Sequence, residues 1–240
     1  MSWQGFTWLG DSGLLLPAAF LIMLWLLVAR RTWPGALLWA GVFGCGSAIV
    51  LVSKLAFMGW GIGSARFDFT GFSGHTTLSA SVWPVALWLM ASRWGHAPRV
   101  ALACAGWFLA LTIGLSRLVL QAHSISEVLA GYVLGTAVSA TFLAVQHRRP
   151  HPRLWWPAVL LSLALPLLVL RPGAPAPTQH LLERIAMRLA GTDRVFTRDD
   201  LQRCRGHGAG CAEAGDGVEL SPAGRRTLSR QEQPPGNGLQ

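Results

Sequence analysis

The chain has 240 residues, 52% of them hydrophobic and only 13% charged, with twelve tryptophans. A water-soluble globule of this size would lack the polar groups to cover its surface, so a bilayer is the better solvent. The net charge of +9 is accounted for by loop arginines facing anionic headgroups, and nothing else points to nucleic acid as a partner.

Six apolar stretches have the length and freedom from charge of membrane-spanning helices: residues 13–29, 34–53, 75–91, 100–115, 125–145 and 154–170. The expected fold is therefore all-α, a six-transmembrane-helix bundle over residues 1–170 followed by a polar, partly disordered tail over 171–240. The first stretch ends in Arg30 and Arg31 and has no basic residue before it, the reverse of a signal peptide, so it reads as a retained helix. Connections after the first, third and fifth stretches hold Arg30, Arg31, Arg93, Arg99, Arg148, Arg149 and Arg153, whereas those after the second and fourth hold only Lys54, Arg66 and Arg117. By the positive-inside rule the first set is cytoplasmic and both termini lie outside.

After residue 170 a Pro-rich spacer, RPGAPAPT, leads into the tail, which reads as a separate appendage. Leu181, Leu182, Ile185 and Leu189 recur there at helical spacing beside Arg184 and Arg188, which suits a short helix on the membrane surface or one with no target. Residues 221–240 are rich in Pro, Gly, Gln and Ser and are expected to be disordered. Cys45 and Cys104 sit in apolar segments as small hydrophobes, and Cys204 and Cys211 flank RGHGAG in the tail, where a local disulfide is reasonable in an oxidising compartment.

Ionisable groups in a membrane protein need a cavity or a partner. Outside the arginine-rich loops these are Lys54, Arg66, Asp68, His75, Arg117, His123 and Glu127, all in the second and fourth connections or at adjoining helix ends, and so on one face of the membrane. Ser73 and Gly74 precede the third helix and offer backbone N–H groups at a helix N-terminus, suited to an anion, although Ser73 could equally be a simple cap. His123 and Glu127 are one helical turn apart, so the carboxylate can hold one imidazole nitrogen and leave the other free as nucleophile or base. Arg117 adds a planar fork for phosphate or carboxylate. Two histidines, two or three cations and a helix N-terminus around one volume suit phosphoryl transfer, and the few acidic residues do not suit a magnesium site. Competing readings are a transporter or other non-enzymatic membrane protein using the same cluster as an anion or proton site, and a haem bundle with His75 and His123 as axial ligands.

Two segments, FSGH at residues 72–75 and SRLVLQAHSISE at 116–127, resemble motifs of the type 2 phosphatidic acid phosphatase family, related to vanadium haloperoxidases and glucose-6-phosphatase. The family patterns are Lys-x6-Arg-Pro, Pro-Ser-Gly-His and Ser-Arg-x5-His-x3-Asp. The resemblance implies a membrane phosphatase acting on a lipid phosphate monoester or diphosphate through a phosphohistidine intermediate, without a metal or other cofactor; with the topology above, its site is expected on the outer face of a bacterial inner membrane. It casts His123 as nucleophile, Glu127 as the residue orienting it, and His75 as general acid. Lys54, Ser73, Gly74 and Arg117 become the phosphate-binding shell. Three departures stand out: Phe72 replaces proline, Glu127 replaces aspartate, and Gly61 stands where the first motif places its arginine. Arg66 is the nearest arginine, at the wrong spacing; it either binds phosphate from a rearranged loop or pairs with Asp68, the latter being favoured. Lys54 has its own bland reading, a lysine snorkelling from a helix end.

Overall fold

A computed structural model describes residues 3–27, 31–149 and 178–207. Where no water is available to backbone groups, a helix satisfies them internally, and the apolar runs fold accordingly. In chain order the helices are α1 (Trp3–Thr7), followed by the 3-10 turn Trp8–Gly10, then α2 (Ser12–Leu27), α3 (Trp33–Trp60), α4 (Gly74–Met90), α5 (His96–Val119), α6 (Ile125–Gln146), α7 (Thr178–Ala190) and α8 (Arg198–His207). Among the described residues the only β pairing is one antiparallel bridge, Ser64 with Phe69, in the loop before α4.

Among the described residues, four segments are long and apolar enough to cross a membrane: Gly5–Leu27, Trp33–Trp60, His96–Val119 and Ile125–Gln146. The outward faces of these helices are apolar, with Leu37, Val52, Phe108 and Val133 all more than 60% exposed, the inverse of a water-soluble surface. The chain is an all-α membrane protein. Residues 154–170, expected as the sixth span, lie outside the described residues, as do residues 221–240 and Cys211. The described helices do show that α6 runs away from the candidate site, whereas α7 and α8 lie at its end of the bundle.

The 17-residue α4 is the axis of the bundle, and more than half of its residues are buried. Val82, Val85, Ala86 and Leu89 pack with Leu15, Ile22 and Leu26 of α2, Trp39 of α3 and Phe142 of α6. Its small polar residues bond back to the backbone, Thr77 Oγ1 donating to Ser73 O at 2.9 Å and Ser81 Oγ to Thr77 O at 2.8 Å. Close approach of neighbours needs small residues. A Cβ at Gly106 of α5 would stand 2.6 Å from the backbone of Pro84, and one at Gly131 of α6 would stand 2.9 Å from Ser73 O.

Several boundaries differ from expectation. Pro34 opens α3 near the expected position, but the helix continues past 53 to Trp60 and places Lys54 inside it. It ends at Gly61, whose φ of 65° turns the chain so that Ile62 N donates back to Ala56 O at 3.3 Å. α5 starts at His96 rather than near 100, because Arg99 folds its guanidinium over the Trp88 ring, 3.6 Å from the centroid, instead of standing in a loop. Cys45 and Cys104 lie on exposed faces rather than in the core. α7 forms where the leucine pattern predicted, yet it lies on α3: Ala186 is buried near Gly59, while Leu181 and Leu189 stay exposed.

Candidate active site

Ser124 begins α6 with a capping box: its Oγ accepts from Glu127 N at 3.3 Å, and Glu127 Oε2 accepts from Ser124 N at 3.2 Å. The same carboxylate oxygen accepts from His123 Nδ1 at 2.7 Å. One local motif therefore starts the helix and orients the imidazole. The pairing fixes the proton on Nδ1 and leaves Nε2 as a lone-pair donor. Glu127 is fully buried, and its other oxygen accepts from the backbone N–H and hydroxyl of Thr70 at 2.8 and 2.5 Å.

The loop before α4 is fastened to this turn. Ser73 N donates to the backbone carbonyl of Glu127 at 3.1 Å, joining the two sequence segments singled out above. Ser73 is buried, and its hydroxyl pairs with Thr76 Oγ1 at 2.9 Å rather than capping the backbone of α4. Gly74 opens α4, and a Cβ there would lie 3.7 Å from Lys54 Nζ, so the ammonium stands over the helix N-terminus.

Lys54, Arg117 and His123 line one cavity of about 400 Å³, together with Thr70, Gly71 and Phe72. Arg117 reaches Thr7 Oγ1 with Nη1 at 3.3 Å, and its Nε is buried without a hydrogen-bond partner among the described residues. A guanidinium N–H left without a partner beside a lysine suits an anion. His75 lies on the side of the N-terminal segment: its Nε2 is 3.7 Å from Asp11 Oδ2, and Arg117, His123 and Lys54 are its electrostatic neighbours. Asp11 also accepts from Gly13 N at 2.7 Å, which holds it at the start of α2.

One favoured sequence expectation is corrected, and one alternative reading is set aside. Arg66 does not pair with Asp68; its guanidinium lies over the Phe67 ring at 5.6 Å, beside a neighbouring groove of about 620 Å³. Asp68 accepts instead from Arg198 Nη1 at 3.0 Å. Lys54 does not snorkel away from the bundle but turns into the cavity. Arg198, Thr70, Asp11 and Thr7 were not anticipated. Thr197-x-x-Asp200 marks a helix start that could have been read from the sequence, but nothing local signals that Arg198 reaches Glu127. Among the described residues, no three His, Cys, Asp or Glu side chains group as metal ligands.

Replacing Glu127 with glutamine is expected to lower turnover about 10²- to 10³-fold. Both oxygens accept hydrogen bonds, so an amide must turn its NH₂ toward donors whichever way it is placed. The check is kcat measured beside a thermal melt, since an NH₂ turned toward Thr70 or toward His123 and Arg198 also costs stability.

A family model described as the PAP2 superfamily matches residues 57–151. The chain is 45% identical over 206 residues to an "Uncharacterized 22.5 kDa protein in cps region" of Klebsiella pneumoniae, covering 85% of this chain and 99% of that one. It is 32% identical over 146 residues to phosphatidylglycerophosphatase B of Bacillus subtilis (strain 168), covering 55% of this chain and 67% of that one. No solved structure matches. With the family model lying across the helices and the connecting turn that carry His75, Arg117, His123 and Glu127, and two thirds of phosphatidylglycerophosphatase B matched at 32% identity, the chain belongs to the PAP2 superfamily.

Proposed function

We propose that this protein is an integral membrane phosphatase that hydrolyses a lipid phosphate monoester or diphosphate through a phosphohistidine. The observation that carries this reading is the shared cavity of Lys54, Arg117 and His123, with the imidazole held through Nδ1 by a buried carboxylate. Phosphatidylglycerophosphatase B, among the relatives, is named for a lipid phosphate, which favours that substrate class.

In the first step His123 Nε2 attacks phosphorus, and the bond from phosphorus to the lipid oxygen breaks. Lys54, Arg117 and the Gly74 N–H bind the non-bridging oxygens, with Ser73 setting the loop that presents them. The substrate phosphate brings the negative charge that a protonated His75 needs among Lys54 and Arg117. His75 gives its proton to the departing alkoxide or phosphate oxygen. Neutral His75 then takes a proton from water, whose oxygen attacks phosphorus; the phosphorus–nitrogen bond breaks, inorganic phosphate leaves and His123 is restored.

We further place the site and both termini on the periplasmic face of a bacterial inner membrane, on the arginine-rich connections at the opposite ends of the helices. The cavity at helix ends suits a substrate whose phosphate is presented at headgroup depth.

The test is phosphate release by purified protein in detergent from phosphatidylglycerol phosphate, phosphatidic acid and undecaprenyl diphosphate, compared with glycerol phosphate, with and without a chelator. Release from at least one lipid, blocked by vanadate and surviving chelation, is expected. Release that stops with chelator and returns with magnesium would overturn the metal-free chemistry, and equal rates on glycerol phosphate would overturn the preference for lipid.

A further inference from the structure

One wall of the His123 cavity comes from the far end of the chain. Glu183, Val195, Phe196, Thr197 and Arg198 line it together with Lys54 and Arg117. This segment lies beyond residues 57–151 matched by the family model.

Its seat on the bundle is built. α7 rests on α3 where Gly59 leaves room: a Cβ there would be 3.2 Å from Ala190 Cβ. Phe196 N donates to Met58 O at 2.9 Å, and its ring covers Gly61, where a Cβ would meet it at 3.1 Å. Thr197 and Asp200 then form a reciprocal cap, with Asp200 Oδ2 accepting from Thr197 N at 3.0 Å and Thr197 Oγ1 accepting from Asp200 N at 3.4 Å. Arg198 is the first residue of α8, held between the Phe196 anchor and this cap.

From that position Arg198 Nη2 donates to Glu127 Oε2 at 2.7 Å and Nη1 to Asp68 Oδ2 at 3.0 Å. A buried carboxylate without a counter-charge is costly. With Arg198 bound, Glu127 is balanced by a permanent cation, so His123 need not carry the balancing charge and its ring is free to serve as nucleophile. Without it, Asp68 loses its guanidinium partner and Glu127 keeps only the more distant charge of Lys54 to balance it, so more negative charge stands beside the anion cavity and repels phosphate.

We infer that Arg198 is a positioning residue of this site: it bridges Asp68 and Glu127, fixes the carboxylate that holds His123, and makes the segment 178–207 a working part of the phosphate pocket. The inference rests on the phosphatase reading for its turnover readout but not for its anion-binding readout.

The experiment compares wild type, Arg198→Ala, Arg198→Lys, His123→Ala and Arg188→Gln in detergent. It measures kcat and KM on the lipid that turns over best, and vanadate affinity from the rise of the melting midpoint with vanadate concentration. Arg198→Ala is expected to lose about 10- to 100-fold in kcat and to bind vanadate more weakly. Arg198→Lys regains part of the loss, and guanidinium ion added to Arg198→Ala restores activity where equal sodium chloride does not. Arg188→Gln removes an exposed tail cation outside the cavity and stays within about twofold of wild type. Unchanged kcat and vanadate affinity in Arg198→Ala would overturn the inference, as would a loss that neither lysine nor guanidinium relieves. If wild type hydrolyses no lipid phosphate but its vanadate affinity still depends on Arg198, the phosphatase reading fails and the role of the tail stands.

Discussion

Replacing His123 with alanine is expected to reduce phosphate release by about 10⁴-fold or more, because removing a nucleophile leaves only binding and charge stabilisation to act on the substrate. The imidazole is mostly buried and, among the described residues, makes one hydrogen bond, to Glu127, so the variant keeps the capping box and the Ser73 bond that assemble the site. Its melting midpoint should move only slightly, and vanadate should still bind at Lys54 and Arg117. Acid-labile, base-stable phosphoprotein should form when wild type is quenched during turnover of radiolabelled lipid phosphate. None should form in His123→Ala. Labelling that persists in this variant would assign the covalent step to another residue, and an unchanged rate would remove His123 from the chemistry.

The largest structural effect is expected at Gly135 of α6. A Cβ at this position would be driven into the backbone carbonyl of Thr77 and stand 2.8 Å from Ala80 Cβ, so a side chain there forces α6 away from α4. Four residues earlier, Gly131 faces Ser73 in the same way. The two glycines let the helices approach closely enough for Ser73 N to reach Glu127 O and for Ser139 Oγ to donate to Ala80 O at 2.7 Å. Gly135→Val is expected to cost about 3 kcal/mol or more, since backbone atoms cannot rotate out of the way as a side chain would. Turnover should fall with it even at temperatures where the variant stays folded, because a shift near 1 Å between His75 and His123 is enough to misalign the reacting groups. Gly44→Val is the matched control, with nothing within 4 Å of its added Cβ. A Gly135→Val protein that melts and turns over like wild type would contradict the tight packing of α4 on α6.

The site was legible from sequence wherever its geometry is local. His123 and Glu127 meet because four residues make about one helical turn, and Ser124 lies between them as the cap, so a single short segment specifies the start of α6 and the carboxylate–imidazole pair. Membrane helices were legible as apolar runs for the same reason, since each must satisfy its backbone within itself. The ends were less so: α3 was expected to stop near Lys54, but a lysine within reach of the cavity does not end a helix, and Gly61 does.

Arg198 was not legible at all. It stands 71 residues from Glu127 in the chain, in a segment whose composition alone resembled an appendage. Its placement depends on Gly59 and Gly61 making room for Ala190 and Phe196, and no local pattern encodes that fit. The missing pairing of Arg66 with Asp68 has the same origin, because Asp68 is taken by a guanidinium arriving from the tail. By itself the sequence determined the apolar helices from α2 to α6, the family motifs and the His123–Glu127 pair, all products of short-range periodicity and hydropathy. Tertiary structure alone decided which charges meet: long-range packing of small residues brings Asp11 to His75 and Arg198 to Glu127, and burial makes those pairings matter.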